Sequence, residues 1–320
     1  MIVFTARTRR NISAQIVRVF RGKHVILHPV DSNNAYHLMA FLIVCVWGIT
    51  YVSSKILIND GLSPAQIFTI RFFISYVLLL ACHHKRLFAN SARDEAVMAL
   101  LGLTGGSLYF LSENTALAYS TASNVSLIVC SCPMGTTLLL ALFYKGERLS
   151  KLQYAGSALA LLGMTVVVLN GHFVLHLSPV GDALALAACL SWSAYSVLLR
   201  SCTHKYSSAF ITRKVFFYGL LTILPYYIWH PSWPPVATFM RGEVIGHLLF
   251  LSVVASFLCY MLWNHCIRRL GVQQASNWIY FNPISTIVSA WILLGERPTV
   301  FLYLGAAMIL LGMYGADRRR

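Results

Sequence analysis

The sequence predicts an all-α integral membrane protein of about ten transmembrane helices, arranged as two inverted repeats of five helices. Three observations predict it. Hydrophobic residues make up 58% of the chain and charged residues only 11%, against roughly a quarter charged in an ordinary soluble domain, so the apolar residues exceed what one soluble core can bury. Apolar stretches near or above the roughly 20 residues that cross a bilayer core recur along the chain between short polar breaks. A set of short motifs also occurs twice, which marks a tandem duplication.

In chain order, residues 1–35 come first as a basic extension, rich in Arg and without an acidic residue before Asp31. It lacks the long apolar run and small-residue cleavage site of a secretory signal, and is expected to be a disordered cytoplasmic tail, with an over-long start or a mitochondrial presequence as the alternatives. The first repeat occupies 36–170, with spans expected at 36–58, 65–82, 96–118, 121–143 and 152–170. The second occupies 180–316, with spans at 180–199, 209–229, 244–266, 272–294 and 298–316, and residues 317–320 form a basic tail.

A net charge of +15 raises the question of a nucleic-acid partner, which the placement of the charges answers. Arg7, Arg9, Arg10, Arg18, Arg21 and Lys23 precede the first span; Lys85, Arg86 and Arg93 follow the second; Lys145, Arg148 and Lys151 follow the fourth. Arg200, Lys205, Arg213 and Lys214 surround the sixth-to-seventh loop, Arg268 and Arg269 follow the eighth span, and Arg318, Arg319 and Arg320 end the chain. All fall on one side if both termini are cytoplasmic, which is the positive-inside pattern, so the basicity reports topology in a lipid bilayer and no nucleic-acid partner is expected. Lys55, Arg71, Arg241 and Arg297 lie elsewhere.

The eight cysteines lie within or at the ends of apolar segments without metal-type spacing, and His172 with His176 offers only two ligands. No metal and no cofactor is expected. A His-Glu-x-x-His motif, paired intramembrane aspartates and a Gly-x-Ser-x-Gly elbow are absent, which disfavours an intramembrane enzyme, and no Walker-type loop is present to couple ATP.

The duplication is read from Gly146-Glu147-Arg148, Gly156 and Leu161-Leu162-Gly163-Met164, which recur as Gly295-Glu296-Arg297, Gly305 and Leu310-Leu311-Gly312-Met313 at one constant offset. Upstream, Ala122-Ser123-Asn124 matches Ala275-Ser276-Asn277 and Pro133 matches Pro283. Five spans per repeat is an odd number, so the second repeat enters the membrane inverted. Inverted repeats are a recurring design for solute carriers, with the site between the halves and alternating access from their exchange of conformations.

Together with Trp47-Gly48, Arg71-Phe72, Gly181-Asp182, Trp192 and Asn282-Pro283, these motifs make the sequence resemble the EamA-type branch of the drug/metabolite transporter superfamily over about residues 38–316. The resemblance implies a ten-helix secondary transporter of the bacterial inner membrane with a central cavity, exporting amino acids or related metabolites. Extrusion of drugs or organic cations, and exchange of phosphorylated or nucleotide sugars, are its other implied functions. The partners are then a small solute, a coupling proton or counter-substrate, and lipid.

Charge inside a membrane must be paired, face a cavity or snorkel to the surface. With the termini inside, Lys55, Arg71 and Glu113 share one depth near the outer ends of the first three helices, so Glu113 is expected to pair with Lys55 or Arg71 and to serve the solute or coupling. Arg213 repeats Arg71, whereas Trp263 stands where Glu113 would recur. Amides at Asn114, Asn124, Asn264, Asn277 and Asn282 seek partners between helices or in the cavity. Rings of Trp47, Tyr51, Trp192, Tyr195, Trp263 and Tyr280 are candidates to line it, as Pro133 and Pro283, expected in mid-helix, are candidates for hinges. Glu147 and Glu296 read as helix caps or inter-repeat pairs, and Gly102, Gly105, Gly106, Gly156, Gly163, Gly305 and Gly312 as close helix contacts.

Overall fold

The computed structural model describes residues 32–317 except 84–85, 121, 144–149, 170–177, 232, 235 and 295–299. The basic extension before residue 32, Glu147, Glu296 and the Arg318–Arg320 tail lie outside the described residues. Contacts divide the chain into a unit of residues 1–35 and a unit of residues 36–320, and the second is described below.

Every regular element among the described residues is helical. The first half holds α1 Ser32–Asn59, α2 Pro64–Cys82, α3 Ala92–Tyr119, α4 Ala122–Val129, α5 Cys132–Phe143 and α6 Lys151–Leu169. The second holds α7 Pro179–Thr203, α8 Ser208–Trp229, the short α9 Val236–Phe239, α10 Gly242–Leu270, α11 Val272–Asn277, α12 Asn282–Leu294 and α13 Val300–Asp317. Five of these, α1, α2, α3, α7 and α10, are long and apolar enough to cross a membrane. Of the rest, α8 carries Arg213 and Lys214, and the others are shorter, interrupted or adjoin undescribed residues.

Local chemistry explains the boundaries. Ser63 accepts from the Gln66 amide, and the Gln66 side chain accepts from the Ser63 amide at 2.8 Å. With Pro64 just behind, this capping box starts α2. Ser178 and Ser207 cap α7 and α8 by accepting from the Gly181 and Phe210 amides. The turns α1–α2 and α10–α11 reverse at Gly61 (φ 96°) and Gly271 (φ 86°), the left-handed region that favours glycine.

Four departures from regular helix fall at matching places in the two halves. α3 widens into a π-helical segment at Leu103–Ser107 and α10 at Phe250–Leu258. The span expected at 121–143 is broken between α4 and α5: Ser131 N–H bonds Ile128 C=O at 3.1 Å, and the ladder restarts from Ser131 C=O. The span expected at 272–294 tightens to a 3-10 turn at Trp278–Phe281. Pro133 is the second residue of the restarted α5, where its missing N–H is unneeded, and is therefore not in mid-helix. Pro283 is the second residue of α12, directly after the 3-10 turn, in a helical path that Asn282 continues.

The expected close contacts of small residues are present. A Cβ on Gly163 would lie 2.6 Å from Met308 Cβ and one on Gly312 would lie 2.6 Å from the Gly156 carbonyl, so α6 and α13 meet almost backbone to backbone. Gly105 and Gly106, inside the π segment of α3, leave room for the Tyr195 and Phe72 rings.

Candidate functional site

The irregular segments surround a central cavity. A π turn leaves carbonyls outside the regular ladder, and here they receive side chains from other helices. Trp47 donates its indole N–H to Ala255 C=O at 3.1 Å. Ser191 donates to Thr104 C=O at 2.7 Å, and Tyr260 donates to Gly105 C=O. Each bond joins one half of the chain to the other.

Trp47, Trp192, Tyr260, Tyr109 and Phe110 wall the cavity. Trp47 and Trp192 stand edge to face, ring centres 5.4 Å apart at 87°, and Tyr109 lies 5.0 Å from Trp192. Such contacts fix ring orientation as well as burying area. The space free between these side chains is about 30 Å³, room for one or two waters.

Two opposite charges face that space. Glu113, 5% exposed, accepts the Tyr109 hydroxyl at 2.7 Å, and the Tyr51 hydroxyl also reaches its carboxylate. Arg71, 2% exposed, donates from Nε to Ser256 Oγ and lies 4.4 Å above the Phe110 ring. The two are close enough to attract each other, yet no ion pair within 4.0 Å joins them among the described residues. The Trp192 indole N–H and Asn282 Oδ1, both on the cavity lining, have no hydrogen-bond partner among the described residues.

Of the residues singled out in the sequence, the cavity brings together Trp47, Tyr51, Arg71, Glu113, Trp192 and Asn282. Tyr195 and Trp263 sit one layer behind: the Tyr195 ring lies tilted against Trp192 with centres 5.0 Å apart, and the Trp263 ring tilted against Trp47, also at 5.0 Å. Asn264 accepts from the Tyr195 hydroxyl at 2.7 Å and donates to Thr212 Oγ1 at 2.9 Å, joining α7, α8 and α10. Asn277 and Tyr280 are buried where the span of α11 and α12 tightens, outside the cavity lining. Asn114 donates to Pro64 C=O at 3.4 Å, and the Asn124 side chain lies outside the described residues.

Two placements correct the expected charge layer. Lys55 does not pair with Glu113: its ammonium donates to Leu117 C=O at 2.6 Å and Ser120 C=O at 3.1 Å, capping the C-terminal end of α3, where a cation complements the helix dipole. Arg213 does not line the cavity despite repeating Arg71. It bonds the His83 and Arg86 carbonyls in a separate pocket. Conversely, the cavity includes Thr50, Tyr109, Phe110 and Tyr260, which were not among the site candidates. Tyr109 was findable, because it lies one helical turn before Glu113. Tyr260 was not, because nothing in its local sequence aims it across the bundle.

Comparison with known proteins gives this geometry its context. The EamA-like transporter family model matches twice, over residues 34–169 and 179–316. A probable amino-acid metabolite efflux pump of Escherichia coli (strain K12) is 27% identical over 87% of this chain and 93% of its own length. A probable terminal-alkyne amino-acid exporter of Streptantibioticus cattleyicolor is 26% identical over 87% and 92%. An uncharacterized transporter of Archaeoglobus fulgidus is 27% identical over 88% and 97%. A crystal structure superposes with a TM-score of 0.69 over 89% of this chain and 97% of its own, at 20% identity, which is a likeness of fold. The chain belongs to the EamA-like transporter family, and it is a multi-pass membrane transporter, not an enzyme.

Proposed function

We propose that the protein exports amino acids or closely related metabolites by alternating access between two inverted five-helix repeats, with both termini in the cytoplasm of a bacterial cell. The observation that carries the reading is the pair of buried, opposite, unbridged charges on one aromatic cavity. An α-amino acid offers a carboxylate for Arg71, an ammonium for Glu113 and the aromatic rings, and an apolar remainder for Trp47 and Trp192. The Trp192 N–H and Asn282 Oδ1 add a donor and an acceptor.

The same pair weighs against the alternatives. A simple organic cation meets Arg71, and a phosphorylated sugar meets Glu113, each a like-charge contact in a poorly hydrated site. The names of the relatives from Escherichia coli and Streptantibioticus cattleyicolor favour the same substrate class. A cavity of about 30 Å³ must open to admit a solute, and the break before Pro133 and the 3-10 turn before Pro283 supply hinge points at equivalent places in the two halves. Glu113 is the group able to carry a coupling proton.

Overexpression in a host deleted for its own exporters tests the reading. Increased excretion of amino acids, with resistance to toxic amino-acid analogues, is expected. Protection against organic cations alone, with amino-acid excretion unchanged, overturns the substrate assignment.

A further inference from the structure

The second pocket, of about 300 Å³, lies where α2 ends, the α7–α8 loop turns and α8 begins. It is about ten times the volume of the central cavity, and it is basic. Arg86, Lys205 and Arg213 line it, with no Asp or Glu among the described residues of the lining. Arg213 is 3% exposed at its base, while Arg86 and Lys205 are exposed. Asp94 pairs with Lys205 at 3.0 Å and accepts from Tyr206 at 2.6 Å, and Glu95 is taken up by Lys214. Arg86 and Arg213 thus have no carboxylate partner among the described residues.

Both guanidinium groups are held in place. Arg86 lies 4.9 Å over the Tyr206 ring and 5.2 Å over Phe210, and donates to Asn90 Oδ1. Arg213 is fixed by the two backbone carbonyls it bonds. The positive end of the 22-residue helix α8 opens at the same place. His83 registers the surplus: its imidazole pKa is pushed down, first by burial and then by Arg213.

We propose that this pocket binds the phosphate group of an anionic phospholipid. Buried or immobilised arginines without carboxylate partners, joined to a helix N-terminus, match a phosphate. Apolar surface beside the pocket favours a lipid over a free anion. α2 and α8 pack side by side, with Tyr76 and Phe217 rings 5.9 Å apart, and expose Phe73, Val77, Phe217 and Leu221 along the line an acyl chain would follow. Basic pockets between membrane helices recognise lipid head groups on these principles.

The test uses the purified full chain and three probes: phosphatidylglycerol, phosphatidylcholine and inorganic phosphate, each competed against a fluorescent phosphatidylglycerol. Arg86→Gln and Lys205→Gln, singly and together, change exposed side chains and leave the fold intact; Arg93→Gln, exposed and outside the pocket, controls for surface charge. Phosphatidylglycerol is expected to outcompete phosphatidylcholine. Its binding should weaken about fivefold for each single change and about thirtyfold for both, with Arg93→Gln unchanged. Equal competition by the two lipids, or wild-type binding in the double variant, overturns the site. Inorganic phosphate competing as well as phosphatidylglycerol overturns the lipid assignment and leaves a free-anion site.

Discussion

Replacing Glu113 by Gln removes a charge and almost nothing else. The side chain is 5% exposed and accepts the Tyr109 hydroxyl at 2.7 Å, and a Gln amide oxygen can accept the same bond. On the proposed reading, what disappears is the carboxylate's bond to a solute ammonium. Hydrogen bonds to charged groups contribute about 1.5–3 kcal/mol, and about 1.4 kcal/mol is a factor of ten. Transport efficiency is therefore expected to fall about 10- to 150-fold, with KM raised if the carboxylate holds the ammonium and with a flattened pH profile if it carries the proton. The assay is accumulation of a labelled amino acid in everted membrane vesicles over a range of pH, normalised to folded protein. Lys55→Met should not rescue the loss, because Lys55 bonds the carbonyls of Leu117 and Ser120 and not Glu113. Transport within about twofold of wild type at every pH, or rescue by Lys55→Met, would refute the reasoning.

Three further outcomes are expected. Gly312→Leu should lower folded yield before it alters solute preference, since a Cβ there would lie 2.6 Å from the Gly156 carbonyl and overpacking costs about 1–3 kcal/mol; fluorescence-detected size exclusion measures it. Lys55→Met alone should lower the melting temperature by about 1–2 °C, the effect of losing a cation at a helix C-terminus, while transport per folded molecule stays within about twofold. Reporter fusions after Gly171 and after Arg320 should lie on opposite sides of the membrane; reports from the same side would mean an even number of spans between them.

The sequence by itself determined the solvent and the duplication. Composition, recurrent apolar stretches and the repeated Gly-Glu-Arg and Leu-Leu-Gly-Met motifs depend only on residue type and spacing along the chain. It also marked Arg71 and Glu113, because a charge within an apolar span stands out wherever its helix lies. Which residues meet across the bundle depends on the rotation and partners of each helix, and these only the tertiary structure decided. Tyr260 and Asn282 come to the cavity from the second half, and Trp263, the counterpart of Glu113, packs against Trp47. Lys55 turned to carbonyls instead of an acid because the end of α3 offers a nearby negative dipole. Arg213 shows the same limit most plainly. It repeats Arg71 in sequence, but its neighbours are the His83 and Arg86 carbonyls and not a carboxylate. A duplicated position keeps its place along a helix; what surrounds it belongs to whichever helices pack there, and side chains bond to what they reach.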